Sequence, residues 1–520
     1  PDYSSAASDV YKRQLKYSTM KTKNNNILLA IVGLLFAFGL YSCEDQFLDE
    51  EENYLIDSEG YFNSEDDYYL ALVGAYDLLQ ATYVNNLLGE IASDNTLCGG
   101  ESATDVIGFQ QIDDMTHTPV NSNLRDVWNW MFAGIKRCNY FLEFQDKTDF
   151  DGRVGMVAEV RFLRAYFHFE LVKWFGAIPV KEYESALLGA GKRFAPGDET
   201  SIPRYSAEQV YTLIENDLIY AASNLEYSAP QVGRVTKGAA QALLGKAYLF
   251  QDKFSESASV LQDLINNGPY QLSSDYAQIF ELEGENGVGS IFEVQYTDGE
   301  GAGFGCLQCS EGNVAVGFMG IRNHTGPVYD SGYSFNVPLE SSYNAYQEGD
   351  VRRDVSILDI VAWAETTGAT YVEGYEHTGY YNRKYLARKG DQNIGDQNLT
   401  NPNNYRSIRY ADVLLMAAEA LNRGGIDDSQ ALAYLNQVRE RAFGNSNSNI
   451  SASGSALTDA IWEERRFELM GEGHRFFDLV RTGQAATAIE GFQAGKHELF
   501  PIPFEEIQFS NGNWNQNPNY

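Results

Sequence analysis

The chain has 520 residues, with 72 acidic against 38 basic side chains and a formal charge of −34. A surface of that sign repels nucleic-acid phosphates and anionic lipid head groups, which excludes both as electrostatic partners. Aromatic residues make up 13% of the chain and 34 of them are tyrosines, whose polar tips suit half-wet surfaces.

Residues 1–19 precede a start at Met20 and are read as gene-call overrun. Lys21 and Lys23 then form a basic region, followed by an uncharged run of 14 residues over 27–40. A bilayer span needs roughly 20, so residues 20–42 read as a secretory signal peptide. The box Leu40-Tyr41-Ser42-Cys43 resembles a bacterial lipoprotein signal, although Tyr41 is bulkier than the small residue usual there. That resemblance implies acylation of Cys43, which becomes the new N-terminus of a lipid-anchored chain. Glu44, Asp45, Asp49, Glu50, Glu51 and Glu52 follow, and residues 43–60 read as an acidic tether.

Helical periodicity dominates what comes next. Residues 65–80 bring Leu70, Val73, Ala75 and Leu78 to one face, and residues 124–144 do the same with Val127, Met131, Ile135 and Phe141. A third helix over 154–174 stops at Gly176 and Pro179, and Ser206 caps a fourth with Glu208 in its first turn. In residues 241–269, Leu244, Gly245 and Tyr248 are followed by Phe254, Ser257, Leu261, Leu264 and Pro269, the offsets of a tetratricopeptide helix–turn–helix. A second antiparallel pair is expected from residues 411–421 and 429–442 around Gly424-Gly425. One such repeat cannot bury its own face, so further helices must stack beside it. The expected fold is all-α, a tetratricopeptide-like helical-repeat scaffold with a large loop-rich, partly β insert. Residues 61–284 form the N-terminal helical part, 285–397 the insert and 398–520 the C-terminal helical part.

The insert is rich in Gly, Tyr, Asn and Asp, and within it residues 290–296 read as strand-like. Its run Gly299-Glu300-Gly301-Ala302-Gly303-Phe304-Gly305 has no following helix with a basic partner, so it reads as a loop rather than a phosphate cradle. Beyond Cys43 the cysteines are Cys98, Cys138, Cys306 and Cys309. The single Cys306-x-x-Cys309 lacks the second pair a zinc site needs and is either a local disulfide or two buried thiols. The six histidines, His117, His168, His324, His377, His474 and His497, are scattered, and His168 reads as a core residue. No metal or cofactor motif is present. A glycoside hydrolase needs two carboxylates about 5–10 Å apart, a condition that 72 acidic residues meet by abundance alone. Neither H-E-x-x-H nor G-x-S-x-G occurs.

Residues 462–481 read WEERRFELMGEGHRFFDLVR, two short helices broken at Gly471 and Gly473, with Glu463 spaced to pair with Arg466. The order Glu464-Arg465-Arg466, Glu468, Glu472-Gly473, Arg475-Phe476, Asp478-Leu479, Arg481 resembles the C-terminal signature of the SusD/RagB family. So do the stretches Arg161 to Tyr166, Trp174-Phe175-Gly176, Arg409 to Met416, Leu435 to Arg439, and the ending Leu499 to Pro503 with Gln516-Asn517-Pro518. The acidic and basic residues of the signature, Glu464 and Asp478 among them, are expected to hold helix to helix rather than to catalyse. The resemblance implies an outer-membrane nutrient-binding lipoprotein that captures an oligosaccharide, or a peptide in RagB-like members, and passes it to a SusC-like TonB-dependent transporter. An enzyme, most reasonably a glycoside hydrolase, is the rival class, and a pure protein-binding scaffold is the third.

Sugars present apolar C–H faces and hydroxyl edges, which stiff aromatic rings and nearby polar groups receive at low entropy cost. Candidate rings are Tyr83 and Phe109 after the first helix, and Tyr296, Phe304, Tyr329, Tyr333, Trp363, Tyr375 and Tyr380 in the insert. Candidate polar partners are Asp94, Asn95, Arg322 and Asn323.

Overall fold

The computed structural model describes residues 60–181, 192–390 and 398–520, so the signal segment, Cys43 and nearly all of the acidic tether lie outside the described residues. The chain divides into the units Pro1–Tyr61 and Phe62–Tyr520, and every element below belongs to the second.

Helix α1 (Glu65–Asp77) opens on Ser64, whose hydroxyl accepts the Asp67 N–H while the Asp67 carboxylate accepts the Ser64 N–H. Its inner face is Tyr68, Leu72 and Ala75, whereas Leu70 and Val73 are 60% and 46% exposed. Of the four expected residues Ala75 and Leu78 are buried, while Leu70 and Val73 lie outside because Tyr68 and Leu72 fill the rest of the inner stripe. Tyr68 lies 5.3 Å from Phe141 and donates to the Phe144 carbonyl, and Tyr76 donates to Glu159.

Then come α2 (Tyr83–Ile91), β1 (Thr96–Leu97), α3 (Ile107–Asp113), α4 (Ser122–Glu143) and α5 (Arg153–Phe175). The last is buried almost all round from Met156 to Phe175, as expected of the central rod of a solenoid. Strands β2 (Ile178–Pro179) and β3 (Arg204–Tyr205) pair antiparallel ahead of α6 (Ala207–Asn224), which Ser206 caps in a box with Gln209. Helices α7 (Lys237–Leu249) and α8 (Phe254–Asn267) form the tetratricopeptide-like pair. A Cβ on Gly245 would come within 2.4 Å of the Leu261 side chain, so the close approach depends on that glycine. Gly245→Ala is expected to cost about 1–3 kcal/mol by overpacking, read as a lower denaturation midpoint.

Strand β4 (Ser290–Val294) opens the irregular region, followed by α9 (Val314–Met319), β5 (Ile321–Arg322), β6 (Ser331–Gly332), β7 (Val337–Pro338), β8 (Ile357–Asp359), α10 (Ile360–Thr367) and β9 (Tyr380–Asn382). The pairings are short ribbons: β1 with β7, β5 with β6 in parallel, and β8 with β9. They enclose a small core of Ile321, Tyr329, Val337, Leu358, Ile360, Tyr381 and Leu386. Strand β10 (Tyr405–Arg409) returns antiparallel to β4 and leads into α11 (Tyr410–Arg423), α12 (Asp428–Phe443), α13 (Gly454–Glu468) and α14 (Arg475–Arg481). Helices α4 to α8 pack in succession, α8 packs on α11, and α11 on α12 and α13. The result is a helical-repeat scaffold with short two-stranded ribbons, and Cys306 and Cys309 form a disulfide.

The signature residues of α13 and α14 are buried ion pairs. Arg465 bridges Asp412 and Asp478, and Arg481 bridges Glu419 and Asp478. Glu464 binds Arg352 and Arg439, while Glu468 and Glu472 both bind Arg409. Arg466 donates to Asn95 Oδ1 at 2.8 Å instead of forming the expected pair with Glu463.

Candidate functional site

Three segments far apart in sequence are locked together by backbone hydrogen bonds. Gly100 N–H donates to Ser334 O and Tyr375 N–H to Gly100 O, each at 2.9 Å. Thr325 and Thr370 exchange a pair at 2.8 Å, and Val372 N–H donates to Arg322 O at 3.0 Å. Gly99 permits the first crossing, since a Cβ there would lie 2.2 Å from Ser334 O. Arg322 staples the junction from inside: Nη2 donates to Tyr333 O at 2.7 Å, Nε to Ser334 Oγ at 3.1 Å, and Nη2 lies 3.4 Å from Asp105.

Rings stand on this junction. Phe304 is 57% exposed with its centroid 6.1 Å from half-buried Tyr333, which continues inward to Phe318 at 5.8 Å. Phe318 joins Phe109 and Phe335 in an edge-on cluster with centroids 5.5–5.7 Å apart. The Cys306–Cys309 disulfide closes the turn that begins two residues after Phe304. Tyr375 is half-buried beside Glu376, whose side-chain hydrogen bond and charge push the phenol above its usual range. Tyr371 stacks 5.5 Å from His377, and Asn323 is exposed one residue beyond Arg322. Beneath lie Asp113, pushed up to about 7 by burial although it accepts the Cys98 N–H, and Asp114, also raised by burial. The junction thus offers apolar ring faces, one held guanidinium and a set of carboxylate acceptors, the inventory a polyol needs.

Of the candidate residues, Phe304, Arg322, Asn323, Tyr333 and Tyr375 come together here. Phe109 lies under them at 3% exposure as a supporting ring. The others sit elsewhere. Tyr83 is 3% exposed against Trp130, and Tyr296 is buried and donates to Gln80 O, so neither ring offers a face to solvent. Tyr329 is fully buried, accepting from Arg383 Nε, with half-buried Trp363 5.3 Å away on its outer side. Tyr380 stacks at 4.8 Å on Tyr343, which Arg353 covers. Asp94 holds Arg475 through both oxygens at 2.7 and 2.8 Å, and Asn95 is buried against Arg466, Leu339 and Ser342, so both serve packing. Asp105, Tyr343, Tyr371, Glu376 and His377 were not singled out by sequence. Among the described residues no three His, Cys, Asp or Glu side chains are grouped to hold a metal ion.

Residues 315–520 match the SusD family, and residues 46–249 match a family described as starch-binding associating with outer membrane. A solved laminarin-binding SusD-like protein superimposes with a TM-score of 0.79 at 35% identity, over 88% of this chain and 100% of that one. The chain belongs to the SusD/RagB family. Its curated SusD relatives include SusD-like protein P2 of Formosa agariphila, 28% identical over 94% of this chain and 99% of the relative. Surface glycan-binding protein A from Bacteroides thetaiotaomicron, solved in complex with laminarihexaose, aligns at 26% identity and a TM-score of 0.75, over 88% of this chain and 100% of that one. Both solved structures are described by the glycan they bind.

Proposed function

We propose that this SusD-family chain is a surface lipoprotein, anchored through Cys43, that captures oligosaccharides and passes them to a SusC-like TonB-dependent transporter. The observation that carries the binding step is the exposed Phe304 beside Tyr333, on a junction that also holds Tyr375 and is stapled by Arg322 and Asp105. The lipoprotein-like box at 40–43 and the match to a family associating with outer membrane support the anchorage. Because two glycan-binding neighbours are named for laminarin or its hexaose, laminarin oligosaccharides are the first ligands to try.

The test is calorimetry on the chain starting at Glu44 with laminarihexaose, other plant, host and microbial oligosaccharides, and peptide mixtures. Saturable binding of one glycan class without turnover supports the reading. Binding of peptides alone moves the chain to the RagB-like alternative, and turnover of a bound glycan makes it a hydrolase. Retention on a SusC-like transporter, compared with a Cys43→Ala chain in cells, tests transfer and anchorage separately. Phe304→Ala with Tyr333→Ala is expected to weaken glycan binding by about tenfold or more, as loss of a central ring does. The melting temperature of Phe304→Ala alone should hold because that ring is 57% exposed, whereas Tyr333 packs inward on Phe318, so the single variant separates binding from folding. An unchanged affinity would remove this surface from the proposal.

A further inference from the structure

Arg441, on α12, is 6% exposed and half used. Its Nη2 lies 2.7 Å from both carboxylate oxygens of Glu468, and its guanidinium sits 4.7 Å from the Tyr276 ring centroid. Nε and Nη1 are buried and meet no acceptor. Buried charged donors are rarely left in that state.

Arg441 lines a cavity of about 150 Å³ together with Arg406, Arg409, Ser273 and Gln278. The other two arginines are fully engaged. Arg406 donates to Ile279 O, Glu281 O, Asn403 and Asn404, and Arg409 to Glu468 and Glu472. Two carboxylates share the cavity wall. Glu293 is occupied by the Asn286 N–H and the Asn404 amide, and Glu283 is solvent-exposed.

The ion-pair cluster behind the cavity is also unbalanced. Arg352, Lys384, Arg409, Arg439 and Arg441 face the carboxylates Asp350, Glu464, Glu468 and Glu472, five cations to four anions. Neighbouring Glu90 is pushed up to about 7 by burial, so at neutral pH it makes up only part of the deficit. Glu293 on the cavity wall is bonded only to neutral amides and offsets that excess, so the case for a ligand rests on the two buried Arg441 donors.

We propose that this cavity binds a small oxyanion, received by Arg441 Nε and Nη1. The site is independent of the ring-bearing junction at Phe304. An anion here would satisfy the two Arg441 donors where β10, α12 and α13 meet.

The test is thermal unfolding of the chain starting at Glu44 and of its Arg441→Lys variant, titrated with sulfate, phosphate, acetate and chloride at constant ionic strength. Sulfate stabilises proteins generally, so the decisive reading is a saturable shift that the variant lacks. A rise of about 2–3 °C at a hundredfold excess over Kd is expected for a chain of this size. A response to sulfate and phosphate marks a tetrahedral inorganic anion, and a response to acetate marks the carboxylate of an organic acid. In crystals grown with selenate, an anomalous peak is expected within hydrogen-bond distance of Arg441. Equal, unsaturable shifts in both proteins together with water alone in the cavity would overturn the proposal. Should Arg441→Lys not fold, the selenate map of the wild-type chain decides by itself.

Discussion

Glu468→Ala is expected to cost about 3–5 kcal/mol, or to stop the chain folding at all, because it strands the buried Arg441 guanidinium and takes one partner each from Arg352 and Arg409. Glu468 is fully buried at the end of α13 and accepts from Arg352 Nη1 at 3.1 Å, Arg409 Nη1 at 2.8 Å and Arg441 Nη2 at 2.7 Å. Its main-chain oxygen takes the Tyr276 hydroxyl, Lys384 and Arg409 Nη2. Burial alone would raise its pKa, yet Arg441, Arg409 and Arg352 hold the carboxyl well below the usual range. The three arginines come from residue 352 in the irregular region, from β10 and from α12, so one carboxylate joins pieces that no single helix packing unites. Glu468→Gln keeps the shape and removes the charge, and should fall between wild type and alanine. The contrast is Glu505→Ala, which opens the surface pair with Arg125, whose side chains are 39% and 41% exposed. That change should stay within about 0.5 kcal/mol. Denaturant midpoints of the three variants are the measurement, and a Glu468→Ala midpoint equal to wild type would refute the architectural reading of the signature.

The helical scaffold was legible because each of its devices is local. A chain stop at Gly176, a small residue at Gly245 facing Leu261 and a turn at Gly424-Gly425 all act within a few residues of their own helix. The face of α1 is only half legible: Ala75 and Leu78 are buried as expected, but the rest of the inner stripe belongs to residues such as Tyr68, whose hydroxyl finds a distant acceptor at Phe144, as that of Tyr76 does at Glu159. The same blindness governs the candidate surface. A tyrosine in a loop looks alike whether it ends as Tyr329, buried under Arg383 and Trp363, or as Tyr333 beside exposed Phe304. What separates them is a set of pairings such as Gly100 with Ser334 and Tyr375, spanning more than two hundred residues, which no periodicity announces. The Asp94–Arg475 and Asn95–Arg466 contacts hide in the same way. Polar residues after a helix read as solvent-facing until the partner helix α14 or α13 is seen above them.

Acid is expected to act in two stages, with stability falling by about 2 kcal/mol from pH 7 to pH 5 and steeply below about pH 4.5. Burial lowers the pKa values of His117, His168 and His474 to about 3, well below the unfolded value near 6.5. The unfolded chain therefore takes up those protons first. The contribution of each neutral histidine is present above pH 6.5 and is lost as the pH falls, by about 2 kcal/mol between pH 7 and pH 5. Glu90 and Asp113 act in the opposite sense. Burial raises each to about 7, so the folded state takes up their protons before the unfolded state does, and each returns about 2 kcal/mol over the same interval. Their gain ends once the pH passes the unfolded carboxylate values near 4, while the histidine loss continues. There a third group enters. Charge partners hold Glu468, Asp412 and Asp478 far below their ordinary values in spite of burial, so the unfolded chain protonates them while the fold still needs them ionised. Their stabilisation, present above pH 4.5, is lost below it, and the ion-pair core fails. Urea midpoints across pH 4–8 are the check. A Glu90→Gln chain separates the terms: it lacks the carboxylate gain, so its stability should fall by about 2 kcal/mol more than wild type from pH 7 to pH 5. Its amide can still accept from Gly473 N–H, which meets Glu90 at 2.9 Å. Parallel pH profiles for the two proteins would mean that Glu90 is ionised in the fold and that the cluster around Glu472 carries its full charge.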